Sequence, residues 1–116
     1  TFYANNNFYW YLFFKTLIFF KMRIKDLYCT VLSIVCRVTD LEENEIFCSN
    51  KEECVDARSL LIKTLIDNGI TEKEIVRLTG LSQQRVNSLK NNFKYRIGKW
   101  SITNDLQRIN KYLTNN

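Results

Sequence analysis

Between Gly80 and Phe93 the chain reads "GLSQQRVNSLKNNF". Ser82, Gln83, Gln84, Asn87 and Ser88 are uncharged side chains that can donate and accept hydrogen bonds. Gln and Asn amides can pair with the exposed edge of adenine, and a Ser hydroxyl can serve either partner. Arg85, Lys90 and Lys94 stand among them. Cations there suit phosphate oxygens, which supply affinity without reading sequence. The chemistry open to this set is recognition of a double-stranded nucleic acid. Bond-making chemistry has less to work with. There is no His, which removes the commonest general base and metal ligand. No Gly-rich phosphate loop or nucleophile motif is present either, so neither an enzyme nor a cofactor is expected.

The four cysteines, Cys29, Cys36, Cys48 and Cys54, form no C-x-x-C pair. Without His beside them they do not read as a zinc site, and no metal is expected. Cys29 and Cys36 are seven apart on one helical face and read as small buried apolar residues. Free thiols fit a reducing cytoplasm.

Presenting polar side chains to a groove requires two helices, a tight turn and a buried corner. The residues needed are in register. Gly80 supplies the turn, with Ile75 five before it, Leu81 one after, Val86 six after and Leu89 nine after. If Val86, Leu89 and Phe93 are buried, the polar set faces outward. Val76 stands where a smaller residue is common in such corners. Thr71 and Glu74 have capping-box spacing and open a short helix over 72–79. Ser82 caps a longer helix that runs to about Ile97.

The remaining elements are helical too. Proline is absent, and Gly69, Gly80 and Gly98 fall between helical patterns, where left-handed C-terminal caps are expected. Leu27, Tyr28, Val31, Leu32, Val35 and Val38 mark the core face of a helix over 24–38. Thr39-Asp40 caps a short helix over 41–47, with Asp40 and Glu43 as a box. Ser49-Asn50 caps the next helix, with Val55, Leu60, Leu61, Leu65 and Ile66 inward and a stop at Gly69. A final helix over about 102–114 carries Ile102, Leu106, Ile109 and Leu113. The fold class expected is all-α, with five or six helices including a helix-turn-helix.

Charge is unevenly spread. Residues 22–56 hold four Lys/Arg against eight Asp/Glu, a balance of −4, whereas residues 57–116 hold eleven against four, a balance of +7. A basic half suits a polyanionic partner. Residues 1–21 differ from both. They carry ten of the sixteen aromatics and no Met. Their Phe, Tyr, Asn, Lys, Ile and Leu are residues of A/T-rich codons, so the stretch reads as translated sequence upstream of a start at Met22. A membrane or interfacial anchor is the alternative. The apolar run over 8–20, broken by Lys15, is too short to span a bilayer, and a membrane partner is not expected. Residues 22–116 are read as the DNA-binding domain.

The stretch "CVDARSLLIKTLIDNGITEKEIVRLTGLSQQRVNSL" resembles the C-terminal DNA-binding domain of the DnaA replication initiator. The matching pieces are "VDARSLLI", "EKEIVRLTG" and "SQQRV", and the likeness runs from about Leu27 to Asn92. The whole layout is also similar to small stand-alone proteins of Bacteroides-type bacteria, their mobile elements and phages. The resemblance implies a helical fold of the type shared with the Trp repressor. It also implies that Arg58 reaches the minor groove and that Ser82, Gln83 and Gln84 contact bases. The family's D-H-T-T residues are not kept, so its binding-site sequence is not expected. Its basic loop is here "CSNKEEC", where Glu52 and Glu53 would repel phosphate. No ATPase domain accompanies the stretch. The function expected is binding of double-stranded DNA, as an accessory replication or transcription regulator. The competing expectation is a protein-interaction module that docks a partner through Phe93, Tyr95 and Trp100.

Overall fold

The computed structural model describes residues 2–115. Before Arg23 it describes the side chains of Tyr9, Tyr11, Leu12, Phe13 and Lys15 alone. Six helices and no strand occur among the described residues: α1 (Phe2–Thr39), α2 (Glu43–Cys48), α3 (Glu52–Asp67), α4 (Glu72–Thr79), α5 (Gln83–Arg96) and α6 (Trp100–Thr114). Among the described residues, no helix is long and apolar enough to cross a membrane.

The expected helix over 24–38 is the second half of α1. The boundary at Met22 falls inside this 38-residue helix, because no Pro or Gly interrupts the chain before Gly69. At 1.5 Å per residue α1 runs for about 57 Å, and it sets the 62 Å long axis of the molecule. Its two ends differ in what they bury. Tyr9, Tyr11 and Phe13 are 68%, 60% and 63% exposed. From Ile24 onward the helix joins the core, through Leu27, Tyr28, Val31, Leu32, Ile34, Val35 and Val38. Residues 22–116 should therefore fold without the preceding stretch. Thermal unfolding of that shorter chain checks this. Aggregation, or the lack of a cooperative transition, would put the early aromatics in the core.

α3 is the central element and touches every other helix. It buries residues around most of its circumference, including Ala57, Leu60, Leu61, Ile62 and Leu65. A helix apolar on nearly all sides must be surrounded. Val55 and Ile66, expected inward, are half-buried. α1 and α6 cover one side of it and α5 another. Cys29 and Cys36 do share a face of α1, but it lies at the edge of the core, against which Cys36 packs. The stripe through Tyr28, Val31, Leu32 and Val35 leaves Cys29 exposed and Cys36 half-buried, while Cys54 is the buried cysteine.

Three caps fall elsewhere than their spacing suggests. Asp40 does not cap α2. It closes α1 with a left-handed backbone, φ 57°, a conformation Asp tolerates better than most residues. The box sits two positions later, where the Glu42 N–H donates to Glu45 Oε1 at 3.3 Å. The Ser49 hydroxyl accepts from the Lys51 N–H at 3.2 Å, which shapes the turn, and Lys51 becomes the N-cap of α3. Gly69 and Gly80 have positive φ, but Gly98 does not. The α5–α6 joint is instead tied by the Thr103 hydroxyl, which donates to the Ile97 carbonyl at 2.7 Å. That lets α6 begin at Trp100, two residues earlier than its apolar pattern indicates.

Candidate nucleic-acid interface

The corner between α4 and α5 is built from local hydroxyls and a small apolar cluster. The Thr71 hydroxyl accepts from the Glu74 N–H at 3.3 Å and opens α4. At its other end the Thr79 hydroxyl donates to the Ile75 carbonyl at 2.7 Å and accepts from the Leu81 N–H at 3.2 Å. Gly80 turns the chain at φ 76°, a conformation that Gly adopts without strain. The Ser82 hydroxyl accepts from the Arg85 N–H at 3.1 Å and opens α5. Ile75, Leu81, Val86 and Phe93 are buried and Leu89 is half-buried. Val76 is accommodated half-buried against the core.

With Val86 and Phe93 fixed inward, a rotation of about 100° per residue places every other position of α5. Gln84, Ser88, Asn91 and Tyr95 lie on the outermost stripe, with Asn87 beside them, and all five are exposed. Arg85, Asn92 and Arg96 form one flank, toward α3. Gln83, Lys90 and Lys94 form the other, toward α4. The helix itself contains no carboxylate. Asn91 and Asn92 extend the polar set beyond the expected residues. The Asn91 amide donates to Asn87 Oδ1 at 3.3 Å, and the Asn92 amide donates to Ser88 Oγ at 3.2 Å. Their i, i+4 spacing from Asn87 and Ser88 was the signal that could have found them.

The two flanks are not equally free. On the α4 side, Glu72 takes up two of the expected contact residues. Gln83 Nε2 lies 3.4 Å from Glu72 Oε2, and Lys90 Nζ lies 3.2 Å from Glu72 Oε1. Among the described residues, the guanidinium of Arg85 and the ammonium of Lys94 have no carboxylate partner; Lys94 sits 5.1 Å from the Tyr95 ring. Ser82 is exposed, but its hydroxyl is engaged as the helix cap.

Arg58 is not where an outward contact would need it. It is 1% exposed. Its Nε donates to the Ile46 carbonyl and its Nη2 to the Ser49 carbonyl, each at 2.7 Å. These are the free carbonyls at the end of α2, and a guanidinium there caps the helix and suits its dipole. The expected minor-groove role is therefore replaced by a structural one. Phe93 is buried too, and so is unavailable to a partner, whereas Tyr95 and Trp100 are 73% and 79% exposed.

The acidic loop before α3 does not stand as a repulsive edge. Arg96 Nη1 lies 2.6 Å from Asp56 Oδ1 and 3.2 Å from Glu52 Oε1, and Lys99 Nζ contacts both carboxylates. The hydrogen bond from Lys99 holds the Glu52 carboxyl below its usual range, and the same bond raises Lys99. Only Glu53 of the pair remains unneutralised and exposed.

No protein-family model, curated protein or solved structure matches this chain.

Between the start of α3 and the Arg85 flank of α5 lies a cleft of about 260 Å³. Asn50, Arg58, Arg85, Ser88, Asn92 and Arg96 line it, with Val55 and Leu89 as its apolar contacts. Burial first, and then the charge of Arg85, hold the Arg58 guanidinium below its usual pKa. Among the described residues, no group of His, Cys, Asp and Glu could hold a metal ion.

Proposed function

We propose that this chain binds double-stranded DNA, with α4, the Gly80 turn and α5 acting as a helix-turn-helix whose α5 enters the major groove. The observation that carries the reading is the outer stripe of α5. Gln84, Asn87, Ser88 and Asn91 are exposed on a helix free of carboxylates. Unpaired cations, Arg85 and Lys94, stand on its two sides. Amides and hydroxyls at the centre suit base edges, and cations at the flanks suit the two phosphate backbones. The resemblance to the DnaA C-terminal domain supports the same surface. The similarity to small stand-alone proteins of Bacteroides-type bacteria, their mobile elements and phages supports a role as an accessory replication or transcription regulator of a mobile element or phage. The reading involves no catalysis.

Gln84 and Arg85 should separate the two kinds of contact. Gln84→Ala should weaken the preferred site by about 1–3 kcal/mol and leave random DNA nearly unaffected, because base contacts carry discrimination. Arg85→Ala should weaken both alike, because a phosphate contact is blind to sequence. Gel-shift titration on a selected site and on random duplex distinguishes them. Two variants that bind like the parent would remove α5 from the interface.

A second reading is favoured by Tyr95 and Trp100, two largely exposed aromatics five positions apart across the α5–α6 joint. Large exposed aromatics are typical anchors for protein partners. In this reading the chain is a protein-interaction module, and Trp100→Ala abolishes capture of the partner without changing DNA binding.

A further inference from the structure

Cations, and no carboxylate among the described residues, line the cleft between α3 and α5. Arg58 forms its floor. That guanidinium is buried, bonds only the Ile46 and Ser49 carbonyls, and has no ion-pair partner among the described residues. Buried charges are ordinarily paired, since an uncompensated one is costly. Here a charge of the same sign faces the same cleft, because Arg85 lines it with no carboxylate on it. Arg96, the third cation in the wall, is already balanced by Asp56 and Glu52, so it adds a donor rather than net charge. Amide and hydroxyl donors complete the wall, from Asn50, Ser88 and Asn92.

The geometry points to a phosphate-binding site in this cleft, in which a tetrahedral oxyanion is held by Arg85, Asn92 and Ser88 over the buried charge of Arg58. Its size fits that ligand class. About 260 Å³ holds a phosphate group with a few waters, at roughly 30 Å³ per water, and lies below the usual range for nucleotide- or drug-sized ligands. An anion would neutralise the Arg58–Arg85 repulsion and give the floor charge the counter-ion it lacks. The phosphate has two possible sources with the same chemistry: a phosphodiester of DNA lying along the Arg85 flank, or free phosphate. The first source rests on the DNA-binding reading; the site itself does not.

The test is an amide-detected NMR titration of the full chain with sodium phosphate, against sodium chloride at matched ionic strength. Saturable shifts of the Arg85, Ser88 and Asn92 amides are expected with phosphate and not with chloride. Arg85→Ala and Asn92→Asp should each weaken binding at least about tenfold, the loss expected for a hydrogen bond to a charged group. Both residues are exposed, so the variants keep the fold, whereas Arg58 variants are avoided because they endanger it. A short duplex then identifies the source. If it moves the same amides and phosphate competes with it, the ligand is the DNA backbone. If phosphate binds and the duplex leaves those amides unmoved, the ligand is free phosphate. Equal responses to phosphate and chloride, or saturable binding unchanged in Arg85→Ala, overturn the site. DNA binding that persists beside either of those results leaves the DNA reading intact. Phosphate binding without any DNA binding removes the DNA reading and keeps the site.

Discussion

Val86→Asp should cost about 4 kcal/mol of stability, the loss expected when an uncompensated charge enters a packed corner. Val86 is fully buried where α5 meets α4, in the same core as Ile75 and Leu81. Arg85 and Lys90, its nearest basic neighbours in sequence, project to the two flanks of α5. A domain of this size has about 5–15 kcal/mol in total, so the variant should be largely unfolded in mild denaturant. Gln84→Ala, two residues away on the exposed face, should stay within about 0.5 kcal/mol. Urea unfolding of the two variants checks the inside-out assignment of α5. Equal midpoints would mean that Val86 does not point into the core, and the outer stripe would then be misassigned.

Arg58→Ala is expected to be destabilising by about 3 kcal/mol or more, although it removes no apolar side chain. The Ile46 and Ser49 carbonyls each lose a 2.7 Å donor, and an unsatisfied buried polar group costs about 1–3 kcal/mol. The space left by the largest fully buried side chain among the described residues adds a cavity term. Arg58→Lys should recover part of the loss. It keeps the charge, but a single ammonium lacks the planar fork that meets both carbonyls. Because α2 is only six residues long, its helical signal should weaken first, as early amide exchange at Ile46 and Phe47. An unfolding midpoint that does not move in Arg58→Ala would show that water satisfies those carbonyls, and that the side chain is free to leave the fold.

Features set by neighbouring residues were legible in the sequence. The Thr71 and Ser82 caps, the Gly80 turn and the limits of α4 and α5 depend on spacings of three or four residues, and all of them are found in place. Features set by distant contacts were not. Arg58 lies in an amphipathic pattern that says nothing of the α2 carbonyls to which it folds back. Glu72 occupies Gln83 and Lys90 only because α4 packs across α5. The partnering of Glu52 and Asp56 with Arg96 and Lys99 spans 40 to 47 positions in the chain, so the acidic loop read as repulsive when taken alone. Cys29 and Cys36 were misplaced for a different reason. Their spacing fixed a shared face, but the stronger stripe through Tyr28, Val31 and Val35 decided which face is buried. Among the candidate contacts, Gln84, Arg85, Asn87, Ser88 and Lys94 keep accessible, uncommitted side chains or ladder bonds that water can exchange. Arg58 and Phe93 do not.

The most direct measurement is fluorescence anisotropy of a labelled random duplex with the full chain, between about 50 and 200 mM salt. Binding is expected with a dissociation constant on the order of micromolar at the low end. Its logarithm should change with that of the salt concentration by a slope of about 1.8. That slope corresponds to roughly 0.9 for each phosphate neutralised, one by Arg85 and one by Lys94. No binding at micromolar protein and low salt, or binding that salt does not weaken, would contradict the account and leave the Gly80 turn as a corner in a helical bundle.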